Sequence, residues 1–341
     1  MARFCRHNRF IERCPICRET VPGLEPERAG GRSRSRTGAE GRAGERSRAA
    51  GRDATGAHRT PQGRRRAGLQ VSHEQRADDD GYRSPLATGL RASEDAERLA
   101  QEIAFAEGRL LALRSAPPDL YAEMREQEDP EQALWMAFLS AYLCPLESAE
   151  PFAGIRRALR VDWRAGELPD LGDVPLGPRT SHDPARGDAT LRAYREWAAR
   201  AGSQAQAYAG DAAWSPARRF ERIFERLTLP GFARMGRYEL LVTLGRVGLC
   251  DLRAETLCFA NALGPAHDDL ATTAAKRLFA IGEPMHLEHR AKRLAEAMSV
   301  PLEAFDQALA NWGAGERATL GFPAAVANEH VLERAREALE L

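Results

Sequence analysis

The densest chemistry in the sequence lies at its start, where Cys5, His7, Cys14 and Cys17 fall within one short segment. The Cys14-Pro-Ile-Cys17 stretch is a knuckle whose tight turn directs both sulfurs at one centre. Three thiolates and one imidazole make a tetrahedral Cys3His set, with the number and softness that favour a zinc ion. No coordination position is left open, so the expected zinc is structural. The few bulky apolar side chains of residues 1–22, Phe4, Phe10 and Ile11 among them, are too little to fold without such a staple. A cluster of free thiols is the competing reading, and a redox pair at Cys14 and Cys17 is another, although no strand-to-helix context surrounds them. Cys144, Cys250 and Cys258 are scattered along apolar stretches, which is not a disulfide framework.

The second constellation runs from Phe220 to Gly245. An amphipathic helix ends, a Leu229-Pro230-Gly231 turn follows, and a second helix begins within a few residues. Glycine permits the tight turn, and the open amide groups at the start of the second helix can meet a phosphate. Arg234 and Arg237 lie beside the turn and can add charge-assisted contacts. The plainer reading is a Pro-Gly connection between two packed helices. Asp251 follows Gly231 by 20 residues and reads either as a catalytic carboxylate or as the N-cap of a helix starting at Leu252. Asp268 and Asp269 precede another helix, where capping is the simplest role. His286, His289, Arg290 and Arg293 share helical spacing and form a basic face. The His-x-Glu-His order there lacks the i, i+4 histidine pair of zinc proteases.

Leu229, Pro230, Gly231 and Phe232, the following Tyr238-Glu239-Leu240-Leu241 and then Gly248 to Leu252 resemble the helix-hairpin-helix DNA glycosylase superfamily. More narrowly they resemble its α-glutamyl/putrescinyl thymine pyrophosphorylase group, over roughly residues 130–315. That resemblance implies a helical scaffold gripping DNA at Gly231, Phe232, Ala233, Arg234 and Arg237, with Asp251 as the acid, base or cation stabiliser. Ala233 stands where the second hairpin glycine is expected. Met235 and Gly236 occupy the place of the lysine nucleophile, which argues against Schiff-base chemistry.

These residues must be positioned by an all-α protein. Helical periodicity resumes at Ser93, an expected N-cap followed by Glu94, Asp95 and Glu97 in the first turn. Further helices are expected at 131–143, 152–159, 189–208, 216–227, 235–246, 268–281, 284–298 and 301–312. Pro169, Pro175, Pro178 and Pro184 punctuate a long loop at about 161–187. The Trp135, Phe138, Tyr142 stripe reads as core, and Trp312 as an anchor for the last core helix. No period-2 strand is evident. Residues 23–92 are rich in Gly, Arg, Ser, Ala and Glu and cannot bury enough apolar surface to offset their ordering entropy. The expected plan is a zinc knuckle at 1–22, a disordered linker at 23–92 and a glycosylase-like helical domain at 93–341.

The formal charge of zero over 341 residues hides a segregation, because residues 1–92 hold 20 arginines against 11 acidic residues. Runs such as Arg64-Arg65-Arg66 can bind nucleic acid in a salt-sensitive way, or simply keep the linker solvated. No apolar run is long enough for a membrane span and the N-terminus is too polar for a secretory signal, so the expected location is cytoplasmic. The expected function is a DNA-binding enzyme acting on modified thymine. The alternative is a non-enzymatic zinc-knuckle adaptor or nucleic-acid-binding scaffold.

Overall fold

The computed structural model describes residues 77–260, 269–323 and 326–341, and among them there are helices and loops and no strand. The Cys5, His7, Cys14, Cys17 set and the linker as far as residue 76 lie outside the described residues. The first half holds α1 (Ser93–Ser115), α2 (Asp119–Glu126), α3 (Pro130–Leu143), α4 (Ala153–Ala158), α5 (Ala189–Ala201) and α6 (Gln204–Ala209). The second half holds α7 (Pro216–Arg226), α8 (Arg234–Val247), α9 (Leu270–Phe279), α10 (Pro284–Met298), α11 (Glu303–Ala314) and α12 (Glu329–Leu339). The irregular stretch between α4 and α5 contains one short 3-10 turn, Pro184–Arg186.

Helix α1 is central, packed against both α11 and α12, while α11 also packs against α9 and α3 packs against α8. A helix covered on several sides must carry its charges inside, and each one there is paired. Asp95 meets Arg277 at 3.0 Å, Glu102 meets Arg317 at 2.7 Å, and Arg109 meets Glu239 at 2.8 Å. Around α3 the core is aromatic. Trp135, Phe138 and Tyr142 are fully buried, and Phe138 stacks on Tyr194 of α5 with ring centroids 3.7 Å apart. Trp312 is buried in α11 and donates from Nε1 to the Asp95 carbonyl at 2.9 Å.

Several boundaries differ from the sequence expectation. Residues 77–92 were assigned to the linker, yet Ala87, Leu90 and Ala92 are buried and the Gly89 amide donates to the Leu278 carbonyl at 2.8 Å. Ser93 is the first helical residue rather than the cap, because the Asp80 carboxylate, distant in sequence, accepts from the Ser93 amide at 2.9 Å and from its hydroxyl. Gly202 divides the expected 189–208 helix into α5 and α6. Helices α2 and α12 were not anticipated, since α2 has only 8 residues and α12 buries a narrow Val331, Ala335, Leu339 stripe in a charged segment.

Candidate active site

The turn between α7 and α8 is built as its residues dictate. The Phe232 amide donates to the Leu229 carbonyl at 3.1 Å, closing a turn with Pro230 and Gly231 at its centre. Gly231 has φ +79°, the conformation that a type II turn demands of its third residue. A side chain there would also run into Thr190, whose hydroxyl donates to the Pro230 carbonyl at 2.6 Å. Phe232 is buried against Phe138 and Tyr142. Ala233 is exposed and provides no side-chain cap for α8.

Of the two arginines expected to contact phosphate, Arg234 turns inward and Arg237 is half-buried. Arg234 is buried, ion-paired with Asp306, 3.6 Å from Asp269, and donates to the carbonyls of Leu257 and of Cys258. Burial alone would lower its pKa, but the two carboxylates more than offset this and hold the guanidinium charged. Arg237 lies 4.4 Å from the Phe224 ring centre and donates to the Phe224 carbonyl at 3.0 Å and the Thr228 hydroxyl at 2.9 Å. It thereby satisfies the end of α7. Both side chains hold the hairpin together from within.

The chain after α8 explains why Asp269 reaches this point. The Tyr238 hydroxyl donates to the Thr256 carbonyl at 3.1 Å, and Glu288 of α10 accepts from the amides of Leu257 and Phe259 at 2.8 and 3.2 Å. Residues 252–259 therefore run back along α8 towards its N-terminus. Asp269 caps α9, accepting from the Thr272 amide at 3.1 Å and from its hydroxyl, while its Oδ1 is buried without a hydrogen bond. Asp306 enters from α11. Burial pushes its carboxyl up to about 6 against the pull of Arg234, with Asp269 adding to the rise. Two carboxylates and one guanidinium thus share a dry site, where burial raises the carboxyl of one of the acids.

Asp306 also lines a cavity of about 40 Å³ where α3, α8 and α11 converge, room for a few water-sized groups. Glu239 lines it and is held by Arg109, with a second contact between Nη2 and Oε2 at 2.9 Å. Gln307 accepts from Arg109 at 2.6 Å and Asn311 donates to Glu102 at 3.0 Å. Met235, Ala141, Ala310 and Leu320 give the walls apolar faces. Gly236 lines the cavity as well, and a side chain there would meet the Ser181 hydroxyl and the Phe232 ring.

Asp251 sits elsewhere. It follows the C-terminus of α8, a helix of 14 residues and hence about 20 Å long, so the helix separates it from the hairpin turn. No helix begins at Leu252 and Asp251 is not an N-cap. Its side chain is 75% exposed and pairs with Arg219 at 3.0 Å, at the rim of a mostly apolar cleft of about 510 Å³ bounded by Pro130, Leu134 and Tyr208. Asp251 thus stands apart from the hairpin turn, and Asp269 and Asp306 are the carboxylates that the fold brings to Arg234. Sequence reading passed over Asp306, Gln307 and Asn311, and took Glu239 only as part of the family resemblance. The available signal was polar residues recurring on one face of otherwise apolar α11, at Glu303, Asp306, Gln307 and Asn311.

Residues 179–319 match the family described as alpha-glutamyl/putrescinyl thymine pyrophosphorylase clade 3. The narrower resemblance read from the hairpin residues is thereby supported over a segment that includes α8, α9 and α11. No curated protein and no solved structure matches the chain.

Proposed function

We propose that this protein is an enzyme of thymine hypermodification in DNA, with its reaction centre at the Arg234, Asp269, Asp306 cluster. The observation that carries the reading is Asp306, a buried carboxyl held at about 6 on the wall of a cavity, within the segment that matches the thymine pyrophosphorylase family. The family's name points to exchange between pyrophosphate and an amine at a thymine substituent. An amine nitrogen attacks the activated exocyclic carbon, the new C–N bond forms as the C–O bond breaks, and the bonding pair leaves with pyrophosphate. The proton lost by nitrogen passes to Asp306. Arg234 keeps that carboxyl oriented, and Asp269 raises its basicity by like-charge repulsion. In the glycosylase-like variant of this reading, the same acids would serve a cationic sugar instead.

DNA is the proposed polymer, with the target base extruded. Because Arg234 is internal and Arg237 is engaged with the end of α7, phosphate contact falls to the exposed Ala233, the first-turn amides of α8 and Arg186 beside Gly231. The Cys5, His7, Cys14, Cys17 zinc knuckle and the arginine-rich arm serve recruitment. The adaptor alternative has no observation of comparable weight. The test is pyrophosphate release from duplex DNA carrying a pyrophosphorylated hydroxymethyl group on thymine, with glutamate or putrescine supplied. Amine-dependent release by the full chain, lost in Asp306→Asn, supports the reading. A folded, DNA-bound chain with no release overturns it. Zinc near one equivalent in the purified full chain, lost on changing Cys14 and Cys17 to Ser, supports the knuckle.

A further inference from the structure

Arg109, Arg219, Arg234 and Arg246 are each held by a carboxylate. Helix α10 uses its cations differently. His286, His289, Lys292 and Arg293 are exposed and Arg290 is half-buried, and their spacing sets them along one side of the helix. Among the described residues, the side chains of His289, Arg290, Lys292 and Arg293 have no hydrogen-bond or ion-pair partner, and His286 approaches Glu283 only at 4.0 Å. Of the acids within α10, Glu288 is turned to the amides of Leu257 and Phe259, and Glu296 is exposed beyond the cluster, towards the C-terminal end. Like charges at these spacings repel and weaken a helix. The opposite side, with Leu287, Ala291, Leu294 and Met298, is buried, so the packing of α10 needs none of these cations.

Unpaired cations in a row fit a polyanion. A helix that lies on a membrane presents an apolar face to it, and the apolar side of α10 is already inside the fold, with Met285, 69% exposed, as its large apolar side chain left outside. Nucleic acid fits better. Guanidinium and ammonium groups bind phosphates and release their counterions. From His286 to Arg293 the cluster covers about 10 Å of helix axis, and a DNA strand carries one charge about every 3.4 Å of its own axis, so more than one phosphate is within its span. Glu288 also ties α10 to the segment whose Leu257 and Cys258 carbonyls hold Arg234 at the start of α8, which joins this face and the hairpin in one framework. We propose that the exposed side of α10 is a second contact surface for the DNA backbone, with His289, Arg290, Lys292 and Arg293 on its phosphates, in addition to the contact at the turn between α7 and α8. This inference rests on the reading of DNA as the polymer and is independent of the reaction. The face supplies grip and register, because phosphate contacts carry no sequence information of their own.

The test is the affinity of the full chain for one unmodified duplex, measured across a salt series. Each phosphate contact on duplex DNA contributes about 0.9 to the slope of log K against log salt, so Lys292→Ala with Arg293→Ala is expected to flatten that slope by about 1.8. Arg114→Ala with Arg160→Ala removes the same charge from exposed arginines outside the cluster and is expected to flatten it far less. Lys292→Arg with Arg293→Lys keeps both charges and should keep the parental slope. Since Lys292 and Arg293 have no partner in the fold to lose, their alanine pair should melt no lower than the parent, which separates contact from folding. Equal flattening by the two alanine pairs would show that only net charge is sensed, and it overturns the proposal. Binding to phosphatidylserine vesicles that the α10 alanine pair loses, with the DNA slope unmoved, gives the face to a lipid surface and overturns it as well. A parent chain that binds no duplex even at low salt sinks the DNA reading itself, whereas a parent that binds and an α10 alanine pair with the parental slope sink this inference alone.

Discussion

The two ends of α8 carry aspartates in opposite circumstances. At the C-terminal end Asp251 is 75% exposed and meets Arg219, whose side chain is 12% exposed. At the N-terminal end Asp306 and Asp269 are 9% and 7% exposed and share Arg234, itself 6% exposed. The residue types match and the environments do not. In water an exposed ion pair contributes little. In the dry site, two acids compete for one cation and the carboxyl of Asp306 is pushed up to about 6. What separates a surface ion pair from a reaction centre here is the covering of α11 and of the returning segment 252–259, not the spacing of aspartate from the hairpin glycine.

The largest effect should come from removing the shared cation. Arg234→Met leaves two buried carboxylates uncompensated and strips the Leu257 and Cys258 carbonyls of their donor. Losing one partner of a buried pair costs about 3–5 kcal/mol, and denaturant unfolding should show a loss in that range. Adding Asp306→Asn to this variant should recover part of it, because one orphan charge disappears. If Arg234→Met unfolds at the parental midpoint, the dry cluster is not as described.

Turnover offers the next contrast. General-base catalysis by a positioned side chain contributes about 10²–10⁴-fold, so Asp306→Asn should lower kcat by at least about a hundredfold while DNA affinity stays near the parental value. Asp251→Asn should leave kcat within about twofold. The reverse ranking would move the reaction centre to the other end of α8.

The pH dependence sharpens the same point. As a base, Asp306 must be ionised, so kcat/KM should climb with pH and level off above about 6. For stability the sign is opposite. The folded state holds this proton more tightly than the unfolded chain, whose carboxyl titrates near 3.8. The stabilising contribution is full below that value and is lost as pH rises through about 6. Asp306→Asn should therefore gain stability relative to the parent between pH 4 and pH 7, measured by thermal unfolding across that range.

Much of this organisation was legible in the chain. The hairpin turn was visible because Pro230 and Gly231 have conformations fixed by their own chemistry, and the Trp135, Phe138, Tyr142 stripe because core faces repeat at the helical period. The acid cluster was not legible. Asp269 and Asp306 are 37 residues apart in sequence, and Asp269 looked like a helix cap, which it also is. The packing of α11 against α8 and α9 brings them to Arg234. The buried setting of Arg234 was hidden for a related reason. An arginine beside an exposed turn reads as a surface group, but the carbonyls of Leu257 and Cys258 needed a donor.

The smallest effect tests the exposed end of α8. Asp251→Ala removes a carboxylate that faces water on most sides, and Arg219 keeps donors on the carbonyls of Ala209, Trp214 and Asp251 itself. Those three contacts depend on the guanidinium rather than on the Asp251 side chain. The change in unfolding free energy should therefore be below about 1 kcal/mol, and smaller still at high salt, where a surface pair is screened. Arg219→Ala should cost more, because three backbone acceptors lose their donor. If the two variants were equally destabilised, the carboxylate of Asp251 would be organising the end of the helical hairpin, and the contrast between the two ends of α8 would have to be redrawn around it.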